Sequence, residues 1–399
     1  MNIGILTFQR AHNYGAQFQA YALQTFLGDH QHNAEFIDYW PAYRKGMYDM
    51  LDLSAMGSNL SPFQKLKKTT KSLLKLALTY PRKKTRHERF ERFMAQHLNF
   101  SAAPTILAGK DIPRHYDAYV FGSDQIWRYN QFNKHLGYDS VYWGKYPADI
   151  SARKVSYAAS MGVLDQADTE LDFISGKLEH FDALSVRENS LKDLLQPLTR
   201  KPISKVLDPA FLLDKTRWAA LAAKNMALPE QYVLLYNLNK SSRATSLADD
   251  LANKLGCAVF ELSSEVVPFD ISRRYQNTAG PAEFLALFEN ATHVISTSFH
   301  GVVFSLIFEK QFQALGLGQN ASRVTNLLTD LGIPERYSAS GAATPAPGFH
   351  DLIDYKAVNE LLSRLREDSV QFLMDNVVNG EKDPVEKPKS ASVGLAETY

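Results

Sequence analysis

The sequence predicts an α/β protein of two lobes, each a parallel sheet wrapped by helices, with a cleft between them. Three observations carry that expectation. The chain has 399 residues, and single hydrophobic cores seldom grow past roughly 250–300 residues. Short β-branched apolar runs alternate with longer stretches of helical spacing; VISTSFHGVVFSLIF at 294–308 holds one of each, joined by a small polar turn. The apolar runs also end in small or polar residues, at Gly122-Ser123-Asp124, Ser160-Met161-Gly162, Arg187-Glu188 and Asp208-Pro209. Ligands of open α/β sheets bind outside such strand ends.

Composition narrows the class. A hydrophobic content of 45% with 22% charged residues is that of an ordinary globular chain, and a net charge of +1 argues against bulk nucleic-acid binding. The single cysteine, Cys257, excludes an intramolecular disulfide. It sits in LGCAVFEL, a strand pattern, where a buried small hydrophobe is expected. The opening MNIGILTF runs straight into a strand without a basic start or cleavage site, so no signal peptide is expected. No apolar run approaches the ~18 residues that span a bilayer. A cytoplasmic protein follows, unless a partner holds it at the inner face of a membrane.

Residues 2–8 read as the first strand, QRAHNYG at 9–15 as a turn, and 16–28 as a helix. A strand feeding a helix through a polar turn leaves N–H groups free to receive an anion, here beside Asn13 and Gly15. No G-x-G-x-x-G dinucleotide fingerprint is present. Residues 34–39 read as the second strand. Between Lys65 and Arg92 eleven Lys or Arg are interleaved with Leu and Phe. Pro81 is expected to divide this basic insertion, 61–99, into two solvated helices lying over the first lobe. A contact with anionic membrane headgroups through 65–92 is the alternative. Strands at 116–121, 154–159, 183–186 and 205–207 complete a lobe of residues 1–212.

The second lobe, 213–378, repeats the logic. Strands are expected at 232–238 and 257–262, helices at 243–255 and 281–290, then the strand, turn and helix of 294–308. That turn carries Ser298, His300 and Gly301 at a helix N-terminus, a natural seat for phosphate or carboxylate. A strand at 312–315 is followed by a loop, 316–323, and a long helix covers 354–377. Residues 379–399 are rich in Lys, Glu, Pro and Ser and read as a disordered tail.

Several segments, in their order and spacing, resemble the polysaccharide pyruvyltransferase family. They are Asn13-Tyr14-Gly15, GSDQIW from Gly122, SYAASMG from Ser156, SVRE from Ser185, LDPAFLL from Leu207 and SFHG from Ser298, spanning residues 1–336. Ala16 follows Gly15 where many members carry an acid. The resemblance implies two Rossmann-like lobes similar to the GT-B glycosyltransferase architecture. It also implies transfer of the enolpyruvyl carbons of phosphoenolpyruvate onto two hydroxyls of a sugar, closing a cyclic pyruvate ketal in polysaccharide biosynthesis.

Phosphoenolpyruvate carries a carboxylate and a phosphate, so its site needs cations and oriented donors. Arg187, just past a strand end, suits either group through its planar fork, unless a neighbouring acid such as Glu188 claims it. Arg323 is a second candidate. His300 is the candidate general acid for the terminal methylene, and Asp124 the candidate base for the acceptor, unless it only caps the following helix through an Asx turn. Asn13 and Gln125 are candidates for acceptor hydroxyls or donor phosphate. No metal-ligand cluster of recognisable spacing stands out, and no cofactor is expected. The expected partners are phosphoenolpyruvate and a saccharide, whether free, nucleotide-linked or lipid-linked, the basic insertion slightly favouring the last. Trp127, Tyr129, Tyr142 and Trp143 are expected in the core rather than stacked on sugars. Two other functions fit the same architecture: a nucleotide-sugar glycosyltransferase, and a non-catalytic partner in a polysaccharide-assembly complex.

Overall fold

The run NIGIL is apolar on both faces, so it belongs inside a parallel sheet covered on both sides, and there it forms β1 (Asn2–Leu6). The computed structural model describes residues 1–44, 62–102, 104–132, 135–148, 150–162, 171–263, 266–267, 274–318, 321–339 and 347–379, with side chains except at 62–76 and 131–136. Beside β1 lie β2 (Asn33–Phe36) and β3 (Ala118–Phe121). A short antiparallel hairpin, β4 (Asn130–Phe132) and β5 (His135–Gly137), interrupts the parallel pattern without joining the sheet. The sheet continues through β6 (Arg153–Ala159), β7 (Ala183–Val186) and β8 (Ile203–Lys205), in the order β2-β1-β3-β6-β7-β8. The second sheet is built from β9 (Tyr232–Asn237), β10 (Ala258–Ser263), β11 (His293–Ser296), β12 (Gln311–Leu315) and β13 (Tyr337–Ser338), ordered β10-β9-β11-β12-β13. Both sheets are parallel throughout, and both reverse strand order beside their first strand, the place where α/β sheets open a crevice.

Ten α-helices connect the described strands: α1 (Tyr14–Asp29), α2 (Pro62–His97), α3 (Leu171–Leu178), α4 (Asn189–Leu195), α5 (Lys215–Leu221), α6 (Ser242–Leu255), α7 (Pro281–Asn290), α8 (Phe299–Ile307), α9 (Ala321–Asp330) and α10 (Tyr355–Leu373). Helix α1 is buried on nearly every side because it lies between the lobes. Its Tyr14 stacks on Phe284 at 4.5 Å and its Phe18 meets Phe304 at 4.8 Å, so one aromatic core runs across both lobes. Helix α10 returns to the first lobe, where Ser369 Oγ accepts from the Leu207 N–H and Arg366 donates to the Leu212 carbonyl.

Pro81 does not divide the basic segment: α2 is one continuous helix with the proline inside it. An internal proline costs about 3 kcal/mol through its missing N–H and its clash with the preceding turn. Packing beyond it offsets that cost. Phe90, Phe93 and Met94 are buried in the two cores, while Arg82, Arg86 and Arg89 donate to the carbonyls of Val267, Ser263 and Thr278 in the second lobe. These three cations therefore tie the lobes together instead of lying solvated over the first.

Cys257 is half-buried and stands just before β10, not within a buried strand, because Gly256 ends α6 in a left-handed turn at the surface. Trp127 and Trp143 stack at 4.6 Å inside the first-lobe core, with Tyr142 buried and Tyr129 half-buried beside them. Among the described residues no helix is long and apolar enough to cross a membrane. The tail expected at 379–399 lies, from residue 380 on, outside the described residues.

Candidate active site

The site grows from four strand ends. As β7 stops, the Arg187 N–H donates to the Ala159 carbonyl at the end of β6, which fixes Arg187 and Glu188 at the rim of the sheet. Two residues past the Val206 N–H, which still pairs with Val186, Asp208 opens a tight turn over Pro209–Leu212. Its Oδ1 accepts the Ala210 N–H at 3.0 Å. From the other lobe β11 delivers Ser298 as the N-cap of α8, with Phe299 and His300 in the first turn of that helix. The fourth end is that of β3, followed by Gly122, Ser123 and Asp124.

These ends meet in a buried charged cluster. Arg187 Nη1 donates to Asp208 Oδ2 at 2.5 Å, and Arg187 Nε lies 3.4 Å from Glu188 Oε1. The same Asp208 oxygen is 3.5 Å from His300 Nε2, too long for a well-formed hydrogen bond. Glu188 Oε1 also accepts from Ser160 Oγ at 2.7 Å and stands 4.0 Å from Arg323 Nε. The Phe299 ring lies under both guanidinium groups, 4.7 Å from Arg187 and 5.5 Å from Arg323, a cation–π floor that helps hold two like charges side by side. Arg187, Glu188 and Asp208 are 5%, 3% and 1% exposed, so these charges interact with little screening by water. Arg187 Nη2, Glu188 Oε2 and His300 Nε2 are buried with no hydrogen-bond partner among the described residues. Buried polar atoms are rarely left so, and a ligand that satisfied them would gain accordingly.

The sequence-predicted residues divide into two groups. Arg187, Arg323 and His300 come together, and the field of Asp124 reaches both guanidinium groups. Arg187 is not free to serve an anion with its whole fork, because Asp208 and Glu188 already hold two of its edges. Arg323 is placed in the first turn of α9, not in a loop, since helix α9 starts at Ala321. Asp124 has φ +67° and its Oδ1 accepts the Gln125 N–H at 2.7 Å, in a turn that no helix follows. The Gln125 side chain lies against Gly162. Asn13 is exposed and caps α1, its Oδ1 accepting the Ala16 N–H.

The two glycines act by close approach. A Cβ on Gly15 would stand 2.0 Å from His300 Nδ1, so the bare backbone of α1 forms the wall against which the imidazole rests. A Cβ on Gly301 would stand 2.0 Å from Ser296 Oγ. Ser298, with no side-chain cap bond of its own, starts α8 beside them.

Asp208, Glu188 and Phe299 were not among the predicted site residues. The signal for Asp208 was its place in LDPAFLL at a strand end, but nothing local says that its carboxylate reaches two cations. Burial would raise the Asp208 pKa, yet nearby His300, Arg187 and the Ala210 N–H outweigh it and hold the carboxyl well below the usual range. Burial and the charge of Arg187 push Arg323 down to about 10 against the pull of Glu188, Asp124 and Asp208, which leaves it charged at neutral pH.

A depressed carboxylate contributes stability that is complete above its unfolded value, near 3.8, and is lost as pH falls through the lower folded value. Asp208→Asn is therefore expected to lower stability at pH 7 and to flatten its decline between pH 4 and 2. Urea midpoints measured across that range check it; an unchanged acid slope would mean that Asp208 is not linked to folding.

Solved structures of similar shape are distant. The UDP-GlcNAc 2-epimerase from Methanocaldococcus jannaschii is 10% identical, with 91% of this chain and 92% of that chain covered at a TM-score of 0.43. The glycosyltransferase SsfS6 from Streptomyces sp. SF2575 is 11% identical, with 93% and 96% covered at a TM-score of 0.36. No curated protein sequence matches the chain. The family profile described as polysaccharide pyruvyl transferase, however, matches residues 13–317, from the cap of α1 to the loop beyond β12, and so takes in every strand end that builds the charged cluster. By that match the chain, a transferase, belongs to the polysaccharide pyruvyl transferase family.

Proposed function

We propose that the protein transfers the enolpyruvyl carbons of phosphoenolpyruvate to two hydroxyls of a saccharide, closing a cyclic ketal, and that the Arg187–Asp208–His300 cluster is the centre of that reaction. The observation that carries this reading is that two buried nitrogens, Arg187 Nη2 and His300 Nε2, have no hydrogen-bond partner among the described residues, in a cluster where the guanidinium groups of Arg187 and Arg323 share the acids Asp208 and Glu188. A donor with a carboxylate and a phosphate complements that set. Arg187 offers its remaining Nη2 edge and Arg323 its charge, while the helix α8 N-terminus adds oriented N–H dipoles. No resident metal or cofactor enters the proposed scheme.

In the first step an acceptor hydroxyl adds to the central enol carbon, and a proton goes to the terminal methylene, which becomes a methyl group. In this scheme His300 delivers it from Nε2, the nitrogen 3.5 Å from Asp208 Oδ2. Asp208 is the positioning residue: its Oδ2 accepts from Arg187 and sets its negative charge 3.5 Å from His300 Nε2. In the second step the C–O bond to phosphate breaks, phosphate leaves with the electron pair, and the second hydroxyl closes the ketal. Of the two hydroxyl protons, one is balanced by the methyl group and the other leaves with phosphate or solvent. Asp124 is the candidate base, at a strand end whose field already reaches both arginines.

Calorimetry with phosphoenolpyruvate tests the donor assignment. Wild type is expected to bind, His300→Ala to retain binding, and Arg323→Ala to weaken it by roughly 10- to 100-fold, the worth of a charge-assisted contact. Binding of a nucleotide sugar in place of phosphoenolpyruvate would replace pyruvyl transfer by glycosyl transfer. Phosphate release that depends on an added saccharide would identify the acceptor, free or lipid-linked.

A further inference from the structure

We propose that His12, His87 and Glu91 form a binding site for a first-row divalent metal ion, best suited to zinc, that fastens the long helix α2 to the turn entering the active site. The two elements meet there for reasons of packing. Phe90 of α2 is fully buried beside Tyr14, and the His12 ring stacks on Phe90 at 5.4 Å and 17°. His87 and Glu91 are one helical turn apart, so their side chains share the face of α2 that meets this turn. One potential ligand atom from each of the three residues lies within 4.8 Å of the others. His12 Nε2 and Glu91 Oε1 are 2.7 Å apart, and the His12 and His87 rings are 4.5 Å apart between centroids.

Two imidazoles and one carboxylate are a ligand set that zinc accepts, in tetrahedral geometry with a solvent molecule in the fourth place. An ion pair between His12 and Glu91 would account for two of the three residues and leave no reason for a second imidazole to face them. His12 and His87 are half-buried and the Glu91 side chain is 50% exposed, so an ion can reach them from solvent. Their separation in the chain kept the cluster out of sight in the sequence.

The consequence lies two and three residues further on. Tyr14 donates to the Ala279 carbonyl of the second lobe, and Gly15 is the wall behind His300. The same helix α2 reaches the second lobe through Arg82, Arg86 and Arg89. A metal at His12, His87 and Glu91 would close the remaining end of this brace, fixing α2 to the first lobe beside the catalytic histidine.

The test uses the full chain without an affinity tag and zinc ion alone, by calorimetry and thermal unfolding. Wild type is expected to bind stoichiometrically, with a Tm rise of roughly 3 °C at a hundredfold excess over Kd. His87→Ala and Glu91→Gln are each expected to weaken binding by about tenfold or more. Cobalt ion provides a second readout: an intense tetrahedral visible spectrum in wild type, lost in His87→Ala. His12→Ala removes a ring that stacks on the buried Phe90 and is expected to destabilise the chain, so His87 and Glu91 carry the test. No zinc binding by wild type, or binding by both variants as tight as by wild type, would overturn the proposal, whatever the pyruvyl-transfer assay shows.

Discussion

Arg187→Ala is expected to abolish donor binding and to lower the free energy of unfolding by about 3–5 kcal/mol, the cost of removing one member of a buried ion pair. The stability loss arises because Asp208 and Glu188, nearly inaccessible to water, lose the guanidinium that neutralises both. Burial alone pulls the Arg187 pKa down, but Glu188, Asp208 and Asp124 outweigh it and raise it further, so this cation is matched by the acids around it. Arg187→Lys keeps the charge, but a single ammonium cannot bond Asp208, approach Glu188 and still present a third edge to a ligand. It is therefore expected to recover part of the stability and little of the activity. Adding Asp208→Asn to Arg187→Met separates the two effects: the double variant regains stability relative to Arg187→Met while remaining inactive. Urea unfolding and initial rates of phosphate release measure the two quantities. A double-mutant cycle with no coupling between positions 187 and 208 would contradict the shared-oxygen geometry.

Gly15→Ala is expected to reduce kcat/KM by about 10²–10³, nearly as much as His300→Ala, although residue 15 touches no substrate in the proposed scheme. The new methyl would stand 2.0 Å from His300 Nδ1 and 2.4 Å from Cγ, and ordinary contacts begin near 3.4 Å. One of the two must move by more than an ångström. Helix α1 is held by Phe18 against Trp218 and Phe304 and by Tyr14 against Phe284, so the imidazole is the part that yields. A displacement of that size takes Nε2 away from Asp208 and from the reacting carbon. The decisive comparison is with Gly15→Ala in a His300→Ala background. With the ring gone the methyl has room, and the double variant should be no slower than His300→Ala alone. Losses that multiply would show that Gly15 acts through something other than the histidine. Donor binding measured by calorimetry should survive in both single variants, which separates misplacement of an acid from collapse of the site.

Much of the fold was legible because its causes are local. A parallel strand covered on both faces is apolar along most of its length, as IGIL and AYVF are, and the small polar residues beyond such runs mark where the chain must turn. The expected strand at 205–207 shows the limit of that signal: β8 is Ile203–Lys205, because pairing with β7, not local apolarity, sets its register. Pro81 shows it again. Its local preference is to end a helix, and the anchorage of Phe90, Phe93 and three arginines beyond it prevails. The hairpin at β4 and β5 carries no strong alternation and was missed.

The residues that could carry charge at strand ends, Arg187, His300 and Asp124 among them, were readable from the sequence, since their position relative to an apolar run is a one-dimensional property. The resemblance through SFHG, SVRE and LDPAFLL likewise needs only order and spacing, and it led to the family. Which charges face one another was decided only by tertiary structure. Asp208 meets Arg187 because β7 and β8 are neighbours in one sheet, and it meets His300 because a shared aromatic core presses α8 of the other lobe against the same strand ends. Arg323 joins them because α9 begins at Ala321, and Gly15 matters because α1 packs without a side chain against the imidazole. The sequence by itself determined two α/β lobes and the residues at the strand ends. The pairing of those residues depended on distances across the lobe interface, which arise from the packing of both cores at once and from no local preference of the chain.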